Sequence, residues 1–94
     1  MPAPEPARKD PSSAQIEAEV RRLLAEHGRL HTDPGRLAPD ADLYRAGLSS
    51  LATVNVMLAL EQAFGFEFAD EQLTEATFAS IAAIVNAVSA DGRG

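Results

Sequence analysis

Residues 51–64 run Leu-Ala-Thr-Val-Asn-Val-Met-Leu-Ala-Leu-Glu-Gln-Ala-Phe, between a pair of serines and a glycine, and they constrain the fold more than any other segment. The run holds neither proline nor glycine and carries one charge, Glu61. Ser49 and Ser50 offer an N-cap and Gly65 a stop, so the segment predicts a helix over about 50–64. At 3.6 residues per turn it separates two faces. Val56, Met57, Leu60, Ala63 and Phe64 share the bulkier one and are assigned to the core. Leu51, Val54, Asn55, Leu58 and Gln62 share the other. It begins beside Ser50 and mixes Leu and Val with amides, as a helix face that docks into a groove would.

The rest of the chain supplies two more helices and no strand long enough for a sheet. Ile16, Val20, Leu23 and Leu24 fall at i, i+4, i+7 and i+8, one face of an amphipathic helix over about 14–27, capped by Ser12 or Ser13 and ending near Gly28. Pro34, Gly35, Pro39 and Gly47 forbid a continuous helix through 29–49, yet Leu30, Leu37, Leu43, Tyr44 and Leu48 recur there as anchors. A loop of that length inside a compact domain tends to be functional. Past Gly65, Phe66-Glu67-Phe68 alternates as a short extended piece, and one helical turn is expected over 70–75. Thr77 is the expected cap of a last helix over about 78–89, with Phe78, Ile81, Ala82, Val85 and Val88 on its buried face and Ile84 beside them. The fold class is therefore all-α, a small antiparallel bundle of three main helices plus one short one. Residues 1–13 hold four of the six prolines and read as a disordered leader, 14–89 as the single domain, and 90–94 as a frayed tail.

A chain of 94 residues, 46% of them hydrophobic, buries one small core and leaves little room for an internal active site. Its 14 acidic against 8 basic residues give a net charge of -6, which argues against nucleic acid and suits docking on basic partner surfaces. Without cysteine, disulfides, thiolate catalysis and zinc-thiolate sites are excluded, so thiol chemistry must come from an added group. No segment signals export or membrane insertion, and a cytoplasmic monomer is the expectation.

The candidate site is the stretch Asp42-Leu43-Tyr44-Arg45-Ala46-Gly47-Leu48-Ser49-Ser50-Leu51. A serine at the mouth of a helix meets free backbone N–H groups and a positive dipole end, both of which suit a phosphodiester. The bare alternative is that Ser49 and Ser50 only cap the helix. Gly-Leu-x-Ser-Leu, the Asp-Leu-Tyr before it, the apolar helix after it and the Phe-Gly-Phe-Glu-Phe exit together resemble the acyl and peptidyl carrier proteins over about residues 14–89. The commonest family motif is Gly-x-Asp-Ser-Leu, whose serine carries 4′-phosphopantetheine and maps to Ser50 because Leu51 follows in register. Ser49 stands where the family usually has aspartate. Ala52 and Asn55 stand where fatty-acid carriers usually hold acidic docking residues, leaving Glu61, Glu67, Asp70 and Glu71 as the nearby acids. The double serine and neutral helix are most similar to stand-alone bacterial carriers loaded with glycine or alanine by seryl-tRNA-synthetase-like amino acid:carrier protein ligases.

The resemblance implies a non-enzymatic tether that holds an acyl or aminoacyl group as a thioester. A phosphopantetheinyl transferase, a loading ligase and a downstream acyl-accepting enzyme are its implied partners. The expected partner surface is Leu48, Ser49, Leu51, Val54, Asn55, Leu58 and Gln62. Two other readings stay open: a carrier of fatty-acid or polyketide intermediates, and an unmodified helical adaptor. His27 or His31 with Asp40 or Asp42 could be arranged around a serine as a triad, but the turn lacks the glycine after the serine that a nucleophile elbow needs. The acids show no ordered cation-loop spacing, the four phenylalanines are assigned to the core, and Arg21 and Arg22 to a solvated helix face.

Overall fold

The computed structural model of the protein describes residues 12–92; of the leader expected over 1–13 and the tail expected over 90–94, residues 1–11 and 93–94 lie outside the described residues. Three α-helices carry the fold: α1 (Ser13–His27), α2 (Ser50–Phe64) and α3 (Ile81–Gly92). Short 3₁₀ turns at Pro34–Arg36, Asp70–Gln72 and Ala76–Phe78 punctuate the connections, and there is no strand among the described residues. The core is one cluster drawn from every segment. It takes Ile16, Val20, Leu23 and Leu24 from α1, Leu43 and Leu48 from the long loop, and Ala52, Val56 and Leu60 from α2. Phe68, Phe78, Ile81, Ile84 and Val88 complete it. The α1 helix packs on both others, whereas α2 and α3 touch little. One flank of α2 is therefore left to the segment that links it to α3.

The first helix starts from a full capping box. The Ser12 hydroxyl accepts the Gln15 N–H at 3.2 Å, and the Gln15 side chain accepts the Ser12 N–H at 2.9 Å. Ser12 is thus the cap, and Ser13, read from sequence as the end of the leader, is the first helical residue. The last helix begins at Ile81, three positions later than periodicity alone suggests, because Ala76–Phe78 forms a 3₁₀ turn that drives Phe78 into the core. Its cap is Ser80, whose hydroxyl accepts the Ala83 N–H at 3.0 Å, and Thr77 instead pairs with Thr74. The helix continues through Gly92, so residues 90–92 extend it beyond 89. Shifting the start also shifts the face: Ile84 is fully buried, while Ala82 and Val85 are half-buried. The single turn expected over 70–75 is confined to Asp70–Gln72.

The long loop is held at defined points. Arg21, read from sequence as solvated, pairs with Glu17 and donates through Nη1 to the Pro34 carbonyl at 2.6 Å and the Leu37 carbonyl at 2.8 Å. A planar guanidinium can serve a carboxylate and two carbonyls at once, which is how α1 fixes the loop. Farther along, the Leu43 N–H reaches the Ala79 carbonyl at 2.8 Å and the Ala82 N–H reaches the Pro39 carbonyl at 2.9 Å. These bonds lash the loop to the start of α3. Past α2, Gly65 caps the helix in the left-handed region at φ 69°, and the Glu61 carboxylate accepts the Phe68 N–H at 2.9 Å. Glu61 therefore braces the exit, with Phe68 stacked edge-on between Phe66 and Phe78.

Candidate functional site

Residues 42–48 form the approach to α2. Asp42 accepts the N–H groups of Tyr44 at 3.0 Å and Arg45 at 3.3 Å, the Ala46 N–H returns to the Asp42 carbonyl, and the Leu48 N–H returns to the Leu43 carbonyl at 3.0 Å. Leu43 and Leu48 anchor this coil from inside, at 0% and 5% exposure. Leu48, expected on the partner surface, is instead a core residue. Gly47 sits at φ 115°, and a Cβ there would lie 2.8 Å from His31 Cδ2 and 2.9 Å from its Nε2. Only glycine meets both demands without strain. The His31 N–H also donates to the Ala46 carbonyl at 2.7 Å. The exit of α1 thus clamps the coil immediately before the two serines.

Those serines differ in their chemistry. Ser49 is the N-cap: its hydroxyl accepts the Ala52 N–H at 3.1 Å, and its carbonyl accepts the Thr53 N–H at 2.8 Å and the Thr53 hydroxyl at 2.7 Å. Ser50 is the first helical residue and is exposed, and its hydroxyl makes no hydrogen bond among the described residues. None of those bonds uses the Ser50 or Leu51 N–H either, so two donors stay open at the mouth of α2 beside that hydroxyl. Open N–H groups, a positive helix end and an unengaged hydroxyl fit a serine phosphodiester.

From Ser50 a surface strip runs along α2. Leu51 (72% exposed), Val54 (47%) and Leu58 (53%) lie open, as do Asn55 and Gln62. Leu73, which sequence reasoning missed, is the fourth large exposed hydrophobic residue among the described residues at 46%, and it comes from the linking segment rather than from the helix. Its signal was an apolar residue flanked by Gln72 and Thr74 in a polar turn. Two helix positions move the other way: Ala63, assigned to the core, is exposed, while Ala52 is buried at 3%. A side chain at 52 faces the core in this chain, so its neutrality belongs to packing, and Asn55 is the neutral surface position.

Between α2 and the linking segment lies an open cleft of about 360 Å³ whose lining includes Ser50, Thr53, Met57 and Glu75. Met57, assigned to the core, packs against it while remaining half-buried, and it also forms part of this wall. Tyr44 closes the cleft, its hydroxyl donating to the Glu75 carbonyl at 3.0 Å. Burial pushes the Tyr44 phenol pKa up, and the charges of Glu75 and Asp42 add to that while the Thr53 hydroxyl works the other way.

The triad candidates are occupied elsewhere. His27 lies 3.6 Å from Glu26, His31 packs on Gly47, and Asp42 caps its own coil. Among the described residues no group of three His, Asp or Glu is placed to hold a metal ion, and no helix is long and apolar enough to cross a membrane.

Residues 18–88 match the family described as the phosphopantetheine attachment site. An aminoacyl carrier protein of Agrobacterium fabrum is 48% identical over 73 residues, covering 78% of this chain and 88% of the relative. Among solved structures, the chain is similar to the Agrobacterium tumefaciens carrier protein in complex with AMP and an engineered Bradyrhizobium japonicum glycine:[carrier protein] ligase, with a TM-score of 0.75 at 48% identity over 78% of this chain and 97% of the other. The same pair of proteins crystallised with ATP gives a TM-score of 0.77 at 47% identity over 80% and 97% of the two chains. A solution structure from Agrobacterium tumefaciens gives 0.64 at 47% identity over 79% and 89%.

Proposed function

The chain belongs to the phosphopantetheine attachment-site family, a family of non-catalytic carriers, and from that premise we propose that Ser50 bears the 4′-phosphopantetheine arm and that the cargo is an amino acid, glycine first. When bound, the arm supplies a terminal thiol that holds a carboxyl group as a thioester. The observation that carries the assignment is the contrast between the two serines. Ser49 spends its hydroxyl on the helix, whereas that of Ser50 is exposed and unengaged beside two open N–H groups. Leu43 and Leu48 from within and His31 from without hold the coil that presents Ser50. We take residues 14–89 as the carrier unit, supported by the family match over 18–88.

Glycine is favoured because the similar Agrobacterium tumefaciens carrier was crystallised, in two complexes, with an engineered glycine:[carrier protein] ligase. The partners are then a phosphopantetheinyl transferase, an amino acid:carrier protein ligase and a downstream acceptor. The cytoplasm, where coenzyme A and ATP are available, is the proposed compartment. Docking falls to Leu51, Val54, Asn55, Leu58 and Gln62, joined by Leu73, with Ser49 at the edge. A modest, largely uncharged patch suits a transient partner that must release quickly, and its association should depend weakly on salt. The test is to incubate the phosphopantetheinylated protein with such a ligase, ATP and one amino acid at a time, and to weigh the product. Glycine added in a thioester that hydroxylamine removes is the expected result. Exclusive loading by an acyl ligase with a fatty or polyketide starter would overturn the amino-acid cargo.

A further inference from the structure

Charge divides sharply near Ser50. From Ala46 to Gly92 the chain carries six acids and no lysine, arginine or histidine. Among the described residues, any side-chain cation near the serine therefore comes from the segments before it. Of the five arginines there, Arg21 and Arg22 are committed to Glu17, Glu19 and Glu26. Arg36 rides on the turn that Arg21 holds against the middle of α1. Arg29 and Arg45 remain, and both are exposed. Arg45 meets only Asp42, at 3.9 Å and with its side chain 88% exposed, and a pair of that kind leaves the cation available.

These two arginines belong to one rim. His31 donates its N–H to the Ala46 carbonyl at 2.7 Å, and its ring lies against Gly47, three residues before Ser50. Arg29 is two residues from His31 and Arg45 adjoins Ala46, so their Cα atoms are at most about 16 Å apart. Arg29 also has φ 53°, in the left-handed region just past α1, where glycine or asparagine is the ordinary occupant. A strained position held by a side chain that the fold does not use points to a use outside the fold.

Two enzymes meet this region differently. A ligase acts on the thiol at the far end of the arm, on the order of 16 Å from the serine when extended, and can sit on the α2 strip. A transferase must bring coenzyme A to the Ser50 hydroxyl itself, so it covers the mouth of α2 and the coil before it. In that step the Ser50 oxygen bonds to the phosphorus nearer the pantetheine and the bond from that phosphorus to the bridging oxygen breaks. The leaving group is 3′,5′-ADP, and the serine proton passes to a base of the transferase. Coenzyme A brings about four negative charges, two of them on its 3′-phosphate, to a protein whose own net charge is -6. We infer that Arg29 and Arg45 form a cationic rim that receives the phosphates of coenzyme A as the transferase presents them, and that the rim takes no part in ligase docking. The inference rests on Ser50 as the attachment point. One cation about 10 Å from a phosphate changes an encounter by roughly two- to tenfold, and about 0.5 M salt screens most of that away.

The experiment follows kcat/KM for the carrier by intact mass in two reactions. One is modification by a transferase that accepts both coenzyme A and 3′-dephospho-coenzyme A, and the other is glycine loading of the fully modified protein by a glycine:[carrier protein] ligase. The variants are Arg45→Gln, Arg29→Gly combined with Arg45→Gln, and Arg36→Gln, which removes a charge away from the rim. Arg29→Gly relaxes a left-handed residue, so the double variant should melt no lower than wild type. With coenzyme A at low salt the double variant should be modified about tenfold more slowly, with the dephospho donor about threefold, and both losses should fade at about 0.5 M salt. Ligase loading, and both reactions of Arg36→Gln, should stay within about twofold of wild type. A wild-type modification rate in the double variant, a loss in Arg36→Gln as large as in Arg45→Gln, an equal loss in ligase loading, or a loss identical for the two donors would overturn the rim and leave Ser50 as the attachment site. Failure of the wild type to gain the arm at Ser50 would overturn the attachment as well.

Discussion

Exchanging the serines one at a time separates the hydroxyl that builds the helix from the one that serves the site. In Ser49→Ala the Ala52 N–H loses its acceptor at 3.1 Å in a half-buried position, while the Ser49 carbonyl still takes the Thr53 N–H. Loss of an N-cap side chain costs about 1 kcal/mol. For a domain of this size that lowers the melting temperature by about 4–8 °C. Ser49→Asp keeps an acceptor and adds a favourable charge at the helix start, so its melting temperature should equal or exceed wild type. Ser50→Ala removes an exposed hydroxyl with no partner among the described residues and should change stability by no more than about 0.5 kcal/mol. The assay is thermal unfolding followed by far-ultraviolet circular dichroism, all variants in one buffer. A loss in Ser50→Ala matching that expected of Ser49→Ala, with Ser49→Ala unchanged, would show that the cap had been given to the wrong serine and would refute the reasoning behind the site.

Three further outcomes are expected. Arg21→Lys replaces a fork serving the Pro34 and Leu37 carbonyls with a point charge and should cost about 1–2 kcal/mol, visible as faster hydrogen exchange at Arg36 and Leu37. Tyr44 is the only tyrosine, and folding favours its neutral form, so the stability it contributes is complete below the unfolded value near pH 10 and is lost as pH rises through the higher folded value. Phenolate absorbance should therefore titrate higher in the folded protein than in denaturant, and Tyr44→Phe should abolish that part of the alkaline loss of stability. Leu58→Asp places a charge on an exposed position of the docking strip and should leave the melting temperature within about 3 °C of wild type. Ligase loading should slow about tenfold in that variant, and an undiminished rate would remove Leu58 from the interface.

Much of this was legible because helical periodicity and capping are local. The bounds of α2, the core roles of Val56 and Leu60, and the exposure of Leu51, Val54, Asn55, Leu58 and Gln62 all follow from residues within a few turns of one another, whereas the two serines are told apart by the register of the family motif with Leu51. What escaped depends on partners distant in sequence. Leu48 sits next to the site in sequence but is drawn inside because the 42–48 coil closes on Leu43. Arg21 is a surface residue on a helical wheel, yet its partners are carbonyls of a loop whose course no local pattern specifies. Thr77 is as good a cap by type as Ser80, and only the burial of Phe78 in the preceding turn decides between them. The cleft was invisible for the same reason, since its two walls meet only once the linking segment has been lashed to Tyr44.

The claim on which the rest depends is that Ser50 carries the arm, and intact-protein mass spectrometry tests it most directly. Wild type, Ser49→Ala and Ser50→Ala would each be incubated with coenzyme A and a phosphopantetheinyl transferase. One phosphopantetheinyl group on wild type and Ser49→Ala, and none on Ser50→Ala, is the expected result. A folded wild type that gains nothing from several transferases, or a gain that survives in Ser50→Ala, would contradict it.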